Sequence, residues 1–311
     1  MATIRLALIA GGRSGEREVS LAGAAEVEKA LDQNKYRVTR YDPATDLARL
    51  AADADSIDVA FVLLHGRFGE DGTMQGFLEM LGIPYQGAGV LGSAMAMDKN
   101  LAKTMYRLHD LPVADWRMAD RADIDAPEQL VDALGLPLVI KPVREGSSLG
   151  MSIVNQPEEL TPALEKAFAH DHEVMVEQFV SGREITVGVI GNETPEALPL
   201  VEIIPGEEFA FFDYQAKYEQ GASREICPAE VDESIRIKAQ HYALTAHKAL
   251  HLRGYSRTDM IVRGDDLVLL ETNTIPGMTP TSLLPQAAAA HGLDYSALLD
   301  RLIELALASD R

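Results

Sequence analysis

The chain has 311 residues, 47% hydrophobic and 24% charged, with 28 Lys plus Arg against 48 Asp plus Glu and a net charge of −20. That composition is globular, the length suggests about two or three domains, and the acidity argues against nucleic acid or an anionic membrane as partner. No apolar run reaches the ~18 residues of a membrane-spanning helix, and a single cysteine, Cys227, excludes an internal disulfide and a cysteine metal cage. A cytoplasmic protein is the expectation, and if it binds a polyphosphate it must gather its few lysines locally or recruit metal ions.

The first third alternates strand and helix. The apolar stretch from Ile4 to Ala10 reads as a buried first strand, with Gly11, Gly12 and Gly15 in the loop after it. Leu21, Ala24, Val27 and Leu31 recur at helical spacing. Val59 to Leu64 is a second apolar strand ending at His65-Gly66, and Met74, Phe77, Leu78 and Leu81 mark one side of the next helix. This rhythm predicts a parallel sheet with helices on both faces. From about residue 98 the texture changes. A helix over Lys99 to Leu108 leads to a short strand at Leu138 to Lys141, and GLPLVIKPVREGSSLGMSIV reads as two strands joined by a Gly/Ser-rich turn. In EITVGVI, Ile185, Val187 and Val189 alternate with Thr186 and Gly188, which predicts a half-buried antiparallel strand. Residues 205–228 carry little periodicity and are the candidate mobile loop. A helix over Ile235 to Leu252 follows. Strands over Tyr255 to Arg263 and Leu267 to Thr272 then flank Gly264-Asp265-Asp266, and the chain closes in a helix from about Tyr295 to Ala308.

The late hairpin carries the most derivable chemistry. A three-residue loop sets Arg263 opposite Leu267, hence Asp259 opposite Glu271 and Arg257 opposite Asn273, all four on one face. Facing carboxylates repel unless a cation lies between them, and Asp, Glu and Asn oxygens suit Mg²⁺ bridging to phosphates. An exposed acidic hairpin is the alternative. Lys141 ends an apolar strand and enters a small-residue loop, which fits either a phosphate cradle or a plain turn needing glycine. The loops Gly11 to Glu18 and His65 to Gly72 follow parallel strands at the end where open α/β sheets bind ligands. Neither is a G-x-G-x-x-G fingerprint, so a nicotinamide dehydrogenase is disfavoured. Past Asn273, two prolines and Gly277 hold the chain irregular, and N–H groups near Ser282 and Leu283 can bind a carboxylate as a helix begins.

Longer blocks are more specific. HGRFGEDGTMQGFLEMLGIPYQGAGVLGSAMAMDKNLAK, IKPVREGSSLGMS, VEQFVSGREITVGV, FFDYQAKY and SRTDMIVRGDDLVLLETNTIPGMTPTSLLPQ resemble, in order, the blocks of the D-alanine–D-alanine ligases, across essentially the whole chain. The resemblance implies an ATP-grasp fold, mixed α/β and α+β: a Rossmann-like domain at 1–97, a central subdomain at 98–182, and a C-terminal subdomain at 183–311 with the mobile loop. It implies that ATP phosphorylates one D-alanine, that the amine of a second attacks the acylphosphate, and that a tetrahedral intermediate expels phosphate. Asp259, Glu271 and Asn273 match ligands for two Mg²⁺ or Mn²⁺ ions, and Arg257 matches the cation that stabilises the intermediate. Lys99 and Lys141 match the phosphate lysines. Glu177 and Glu184 match adenine-linker and ribose contacts, with Gln178, Phe179 and Val180 lining the adenine slot.

Glu16 matches the partner of the first D-alanine's ammonium, with His65 nearby. Ser147 and Tyr218 match a latch that, with Glu16, pins the mobile loop, from which Lys217 faces the phosphoryl group. Gly277, Ser282 and Leu283 match the second D-alanine's subsite. Two positions depart from the family pattern: Ile275 replaces a small polar residue, and Gln178 replaces a lysine. The resemblance also implies a homodimer, leaves a monovalent cation open, and gives Cys227 no catalytic part. A ligase for D-lactate or another amino acid, and a catalytically silent ATP-binding scaffold, are the competing readings. The charge set disfavours the scaffold, and the Glu16, Ser147 and Tyr218 set disfavours the other ligase.

Overall fold

The computed structural model describes residues 3–206 and 223–308. Strands β1 (Ile4–Ile9), β2 (Tyr36–Tyr41) and β3 (Val59–Val62) form a parallel sheet in the order β2-β1-β3. Helices α1 (Arg17–Ala30), α2 (Leu47–Ala52) and α3 (Thr73–Met80) connect and flank them. Alternation along β1 is clean. Leu6 and Leu8 enter one core with Ala24 and Val27 of α1, while Ala7 and Ile9 enter another with Leu50, Met74 and Leu78. The periodicity missed β2, because it is a polar edge strand in which only Tyr36 and Tyr41 are buried.

Helix α4 (Val90–Met97) runs directly into α5 (Lys99–Leu108). Asp98 separates them, its carboxylate accepting the Asn100 and Leu101 N–H groups as an N-cap. A four-stranded antiparallel sheet follows, β4 (Trp116–Ala119), β5 (Leu138–Pro142), β6 (Ser152–Val154) and β7 (Val174–Gln178), in the order β4-β7-β5-β6. Helices α6 (Glu128–Leu134) and α7 (Leu160–Phe168) close its core.

The third sheet holds β8 (Arg183–Ile190), β9 (Glu196–Ala197), β10 (Val201–Pro205), β11 (Ser223–Ile226), β12 (Tyr255–Arg263) and β13 (Asp266–Asn273). Its order is β11-β10-β8-β12-β13, with β9 beside β8. Helix α8 (Glu233–Ala249) packs on one face, setting Ala239, Ala243 and Ala246 against Ile185, Val187 and Val189. Helices α9 (Leu283–Ala290) and α10 (Tyr295–Ala308) complete the chain.

Strand β8 is buried on both faces from Ile185 to Ile190, and so is not the half-buried strand its alternation suggested. It is central, and α9 lies so close that a Cβ on Gly188 would come within 2.6 Å of the Leu284 side chain. Part of the candidate loop is regular too, since β10 and β11 pair with Pro205 opposite Ser223, and only 207–222 lie outside the described residues. Helix α10 returns to the first sheet, where Leu298, Leu302 and Ile303 meet Leu6, Leu8 and Phe61. Each fully buried leucine there contributes about 2 kcal/mol of transfer free energy. Among the described residues no helix is long and apolar enough to cross a membrane.

Candidate active site

The β12–β13 hairpin organises the site. Asp259 pairs with Glu271 and Arg257 with Asn273, as the sequence predicts, but the turn does not have the expected form. Arg263 opposes Asp266, so the loop is the two residues Gly264 and Asp265, with Gly264 at φ 61°. A bulge then sets Asp259 against Glu271 but Met260 against Leu269, leaving Leu270 unpaired and restoring the register by one residue. The four polar side chains therefore share a face, and they face two clefts in turn. Asp259 and Glu271 line the first cleft; Arg257 and Asn273 line the second. Two residues along a strand span about 6.6 Å, so one polar ladder carries directly from one cleft into the other.

The first cleft gathers Lys99, Lys141, Glu177, Gln178, Phe179, Val180 and Glu184. Lys99 opens α5; its ammonium donates to the Glu145 carbonyl at 2.7 Å and lies 3.7 Å from Glu271. Lys141 stands on β5 and donates to the carboxylate of Glu177, its neighbour on β7. The second oxygen of Glu177 is 2.7 Å from Lys103, a lysine the sequence reading passed over, which is only 1% exposed. Burial alone would raise the Glu177 carboxyl, but the two ammonium groups hold it down at about 2. Glu177 thus turns its charge on the lysines. Gln178 donates to the Leu134 carbonyl at 2.8 Å, and the Phe179 N–H to that of Pro137 at 3.0 Å, which secures the strand exit.

The second cleft lies between the first sheet, the β5–β6 turn and the segment after β13. Glu16 stands at the N-cap of α1, and its carboxylate accepts a hydrogen bond from Ser147 of the turn. Ser147 lines both clefts. Two glycines make room for Glu16: a Cβ on Gly66 would sit 3.2 Å, and one on Gly146 3.1 Å, from its Oε2. The Gly11 and Gly12 N–H groups are bonded inward, to Ser20 at 2.7 Å and Asp42 at 2.9 Å. That loop therefore reaches the cleft through Glu16 and Glu18 and not through these two glycines. His65 is buried beside it, and burial, partly opposed by the Glu16 carboxylate, draws its pKa below the ordinary imidazole value. At the far wall Gly277 lies under Ser282, where a Cβ would come within 2.9 Å of the serine Oγ. Ser282 Oγ accepts the Thr279 N–H at 3.1 Å, and Leu283 opens α9 as anticipated.

Comparison with known proteins decides the family. A model described as D-ala D-ala ligase C-terminus matches residues 105–304, and one described as D-ala D-ala ligase N-terminus matches 42–88. The D-alanine–D-alanine ligase of Syntrophobacter fumaroxidans is 60% identical over 304 residues, 98% of each chain. The chain belongs to the D-alanine–D-alanine ligase family. That of Desulfotalea psychrophila is likewise 60% identical, over 98% of this chain and 95% of the other. Among solved structures, the Bacillus anthracis D-alanine–D-alanine ligase complexed with ATP superposes with a TM-score of 0.86 at 36% identity, covering 98% of both chains. The VanG D-Ala:D-Ser ligase of Enterococcus faecalis reaches 0.85 at 33%, covering 98% of this chain and all of the other. The three-sheet architecture is the ATP-grasp fold that the sequence blocks implied.

Within this ligase fold the hairpin fits a hard divalent cation by its donor chemistry, since Asp259, Glu271 and Asn273 offer oxygen ligands on one ladder. Among the described residues no group of three His, Cys, Asp or Glu side chains is gathered for a metal. Asp259 instead accepts from Arg257 at 2.9 and 2.8 Å, from Asn273 at 3.0 Å and from Thr186 at 2.5 Å. The departure at Ile275 is accommodated by the core: its side chain is 3% exposed and packs with Ile9, Val62 and Leu64. Lys217 and Tyr218 lie outside the described residues.

Sequence reasoning also passed over Glu70, five residues after His65. Its carboxyl accepts the Gly66 N–H at 2.8 Å and the Ile275 N–H at 3.2 Å, tying the first sheet's loop to the segment after β13. Burial and the Glu16 charge push it up to about 8. Between the ordinary carboxyl value of about 4.3 and 8, the unfolded chain ionises at this residue while the folded chain keeps the proton. Stability of the unliganded protein then falls as pH rises through that window. Urea unfolding of the Glu70→Gln variant is expected to lose most of that slope relative to the parent.

Proposed function

We propose that the chain joins two D-alanine molecules into D-alanyl-D-alanine, with ATP converted to ADP and phosphate, as a step of peptidoglycan precursor synthesis. The observation that carries the reading is the ladder of Arg257, Asp259, Glu271 and Asn273 running from the lysine cleft into the Glu16 cleft. A ligase that activates a carboxylate must bring phosphoryl donor and acid together at one point, and this face is where the two clefts meet.

On this reading Lys99 and Lys141 bind the ATP phosphates, supplying the local positive charge a −20 chain needs. Glu184 meets the ribose, Gln178, Phe179 and Val180 line the adenine slot, and Glu177 sits where adenine and lysines adjoin. Glu16 receives the first D-alanine's ammonium, with neutral His65 beside it. Gly277, Ser282 and Leu283 receive the second D-alanine's carboxylate at the start of α9. Arg257 balances charge developing on the tetrahedral intermediate. Asp259, Glu271 and Asn273 would hold Mg²⁺ or Mn²⁺, which when bound neutralises phosphate charge. Ser147, placed on both clefts, links Glu16 to the phosphate side; Tyr218 is assigned to the latch with these two, and Lys217 to the transferred phosphoryl group. We further assign a Rossmann-like domain to 1–97, ATP-grasp subdomains to 98–182 and 183–311, a cytoplasmic location and a homodimer.

ATP-dependent phosphate release with Mg²⁺, run with D-alanine, L-alanine, D-alanine plus D-serine and D-alanine plus D-lactate, tests the reading by product mass. Release with D-alanine alone and the dipeptide mass are expected; no release from folded protein that binds ATP would sink the function. The Gly277→Ala variant should raise the KM for D-alanine severalfold and leave that for ATP unchanged, because its methyl displaces the Ser282 hydroxyl. Steady-state kinetics with each substrate varied in turn checks it.

A further inference from the structure

We infer that Lys103 is a positioning residue for ATP binding, acting on Lys141 through the carboxylate they share, that of Glu177. The inference rests on the reading of Lys141 as a phosphate lysine. Lys99 and Lys103 are four residues apart and so lie on one face of α5. Lys99 reaches the cleft; Lys103 does not line it, and at 1% exposure it is among the largest fully buried side chains. Burying an ammonium costs several kcal/mol unless the charge is matched, and no step of the reaction uses this one.

What Lys103 touches explains its place. Its Nζ is 2.7 Å from one oxygen of Glu177, while Lys141 donates to the other. Trp116 stands directly across the β4–β7 ladder from Glu177, and the Lys103 ammonium lies 5.6 Å from its ring centroid. The Trp116 indole N–H donates to Asn100 at 2.8 Å, which holds the ring to α5. Helix α5 and strands β4, β5 and β7 therefore meet at one carboxylate.

Charge counting gives the consequence. Burial draws the Lys103 pKa down and the Glu177 charge opposes it; with both lysines charged, two ammonium groups around one carboxylate leave a net charge of +1, and only Lys141 faces the cleft. With an apolar residue at 103, Glu177 and Lys141 would form a neutral pair, and Lys141 would be held back from a phosphate. Lys103 takes up one oxygen from behind, fixes the carboxylate's orientation, and leaves the positive charge on the cleft side.

The test is a double-mutant cycle on the full-length enzyme. Lys103→Met should fold, because the remaining Glu177–Lys141 pair is neutral; Lys103→Gln, which keeps a donor to Glu177, is the second variant. Both are expected to raise the KM for ATP and the ADP dissociation constant about tenfold, equivalent to about 1.4 kcal/mol, with the KM for D-alanine unchanged. In a Glu177→Gln background the Lys103→Met effect on ATP should vanish, since the shared carboxylate is gone. An unchanged KM for ATP in Lys103→Met, whether or not its melting temperature falls, would overturn the inference. So would equal effects of Lys103→Met with and without Glu177. Lys141→Met separates the two readings: if it too leaves ATP binding unchanged, the phosphate assignment of Lys141 fails, whereas a raised KM there alone removes only the part given to Lys103.

Discussion

Glu271→Gln is expected to lower kcat about 10²–10³-fold, the loss typical of removing one electrostatic stabiliser from a reacting centre, while the fold stays intact. Its side chain is 31% exposed and lies 3.7 Å from the Lys99 ammonium, so an amide of the same shape leaves neither a cavity nor a buried unpaired charge. The melting temperature should stay within about 2 °C of the parent, no more than the shift that about 1 kcal/mol produces in a chain of this size. ATP should still bind through the lysines, and the Mg²⁺ concentration for half-maximal rate should rise. Phosphate release across a Mg²⁺ titration, together with a thermal melt, checks all three. Parental turnover at low Mg²⁺ would remove Glu271 from the metal set.

Arg257→Met is expected to fail in two separable ways. The guanidinium makes two hydrogen bonds to Asp259, and both side chains are nearly buried, at 12% and 7% exposure. Removing one member of such a pair leaves the other charge uncompensated, at a cost of about 3–5 kcal/mol. The Thr186 and Asn273 donors to Asp259 remain, so the lower end is expected, read as a shift in the urea midpoint with unchanged slope. Catalysis should fall about 10³-fold, because the cation lost is the one at the junction of the clefts. Adding Asp259→Asn should restore most of the stability, since no buried charge then stands alone, and should restore none of the activity. Recovery of turnover in the double variant would show that Arg257 only holds Asp259.

Much of this was legible without coordinates, for reasons that differ by element. The first sheet was readable because β1 and β3 are apolar on both faces and followed by amphipathic helices; β2 was not, because an edge strand shows only its two buried tyrosines. The hairpin is more instructive. Its active end pairs as expected although the turn is one residue shorter, because the bulge at Leu270 cancels the difference. A run of apolar residues from Leu267 to Leu270 shows no alternation from which a bulge could be detected. Strand β8 looked half-buried because Thr186 and Gly188 interrupt it, yet those two residues are small or polar so that Asp259 and α9 can approach.

The sequence by itself determined which chemistry is present: two lysines, two carboxylates and an amide on one ladder, and an acid at Glu16 in the loop after the first strand. Those follow from local spacing and from blocks long enough to identify a family. Only the tertiary structure decided what that charge meets. Lys103 and Glu177 are 74 positions apart, Glu70 and Ile275 are 205, and Glu16 and Ser147 are 131. None of these pairs has a periodic signature, because a buried charge is defined by the partner that chain folding brings to it, and that partner comes from another layer of the molecule.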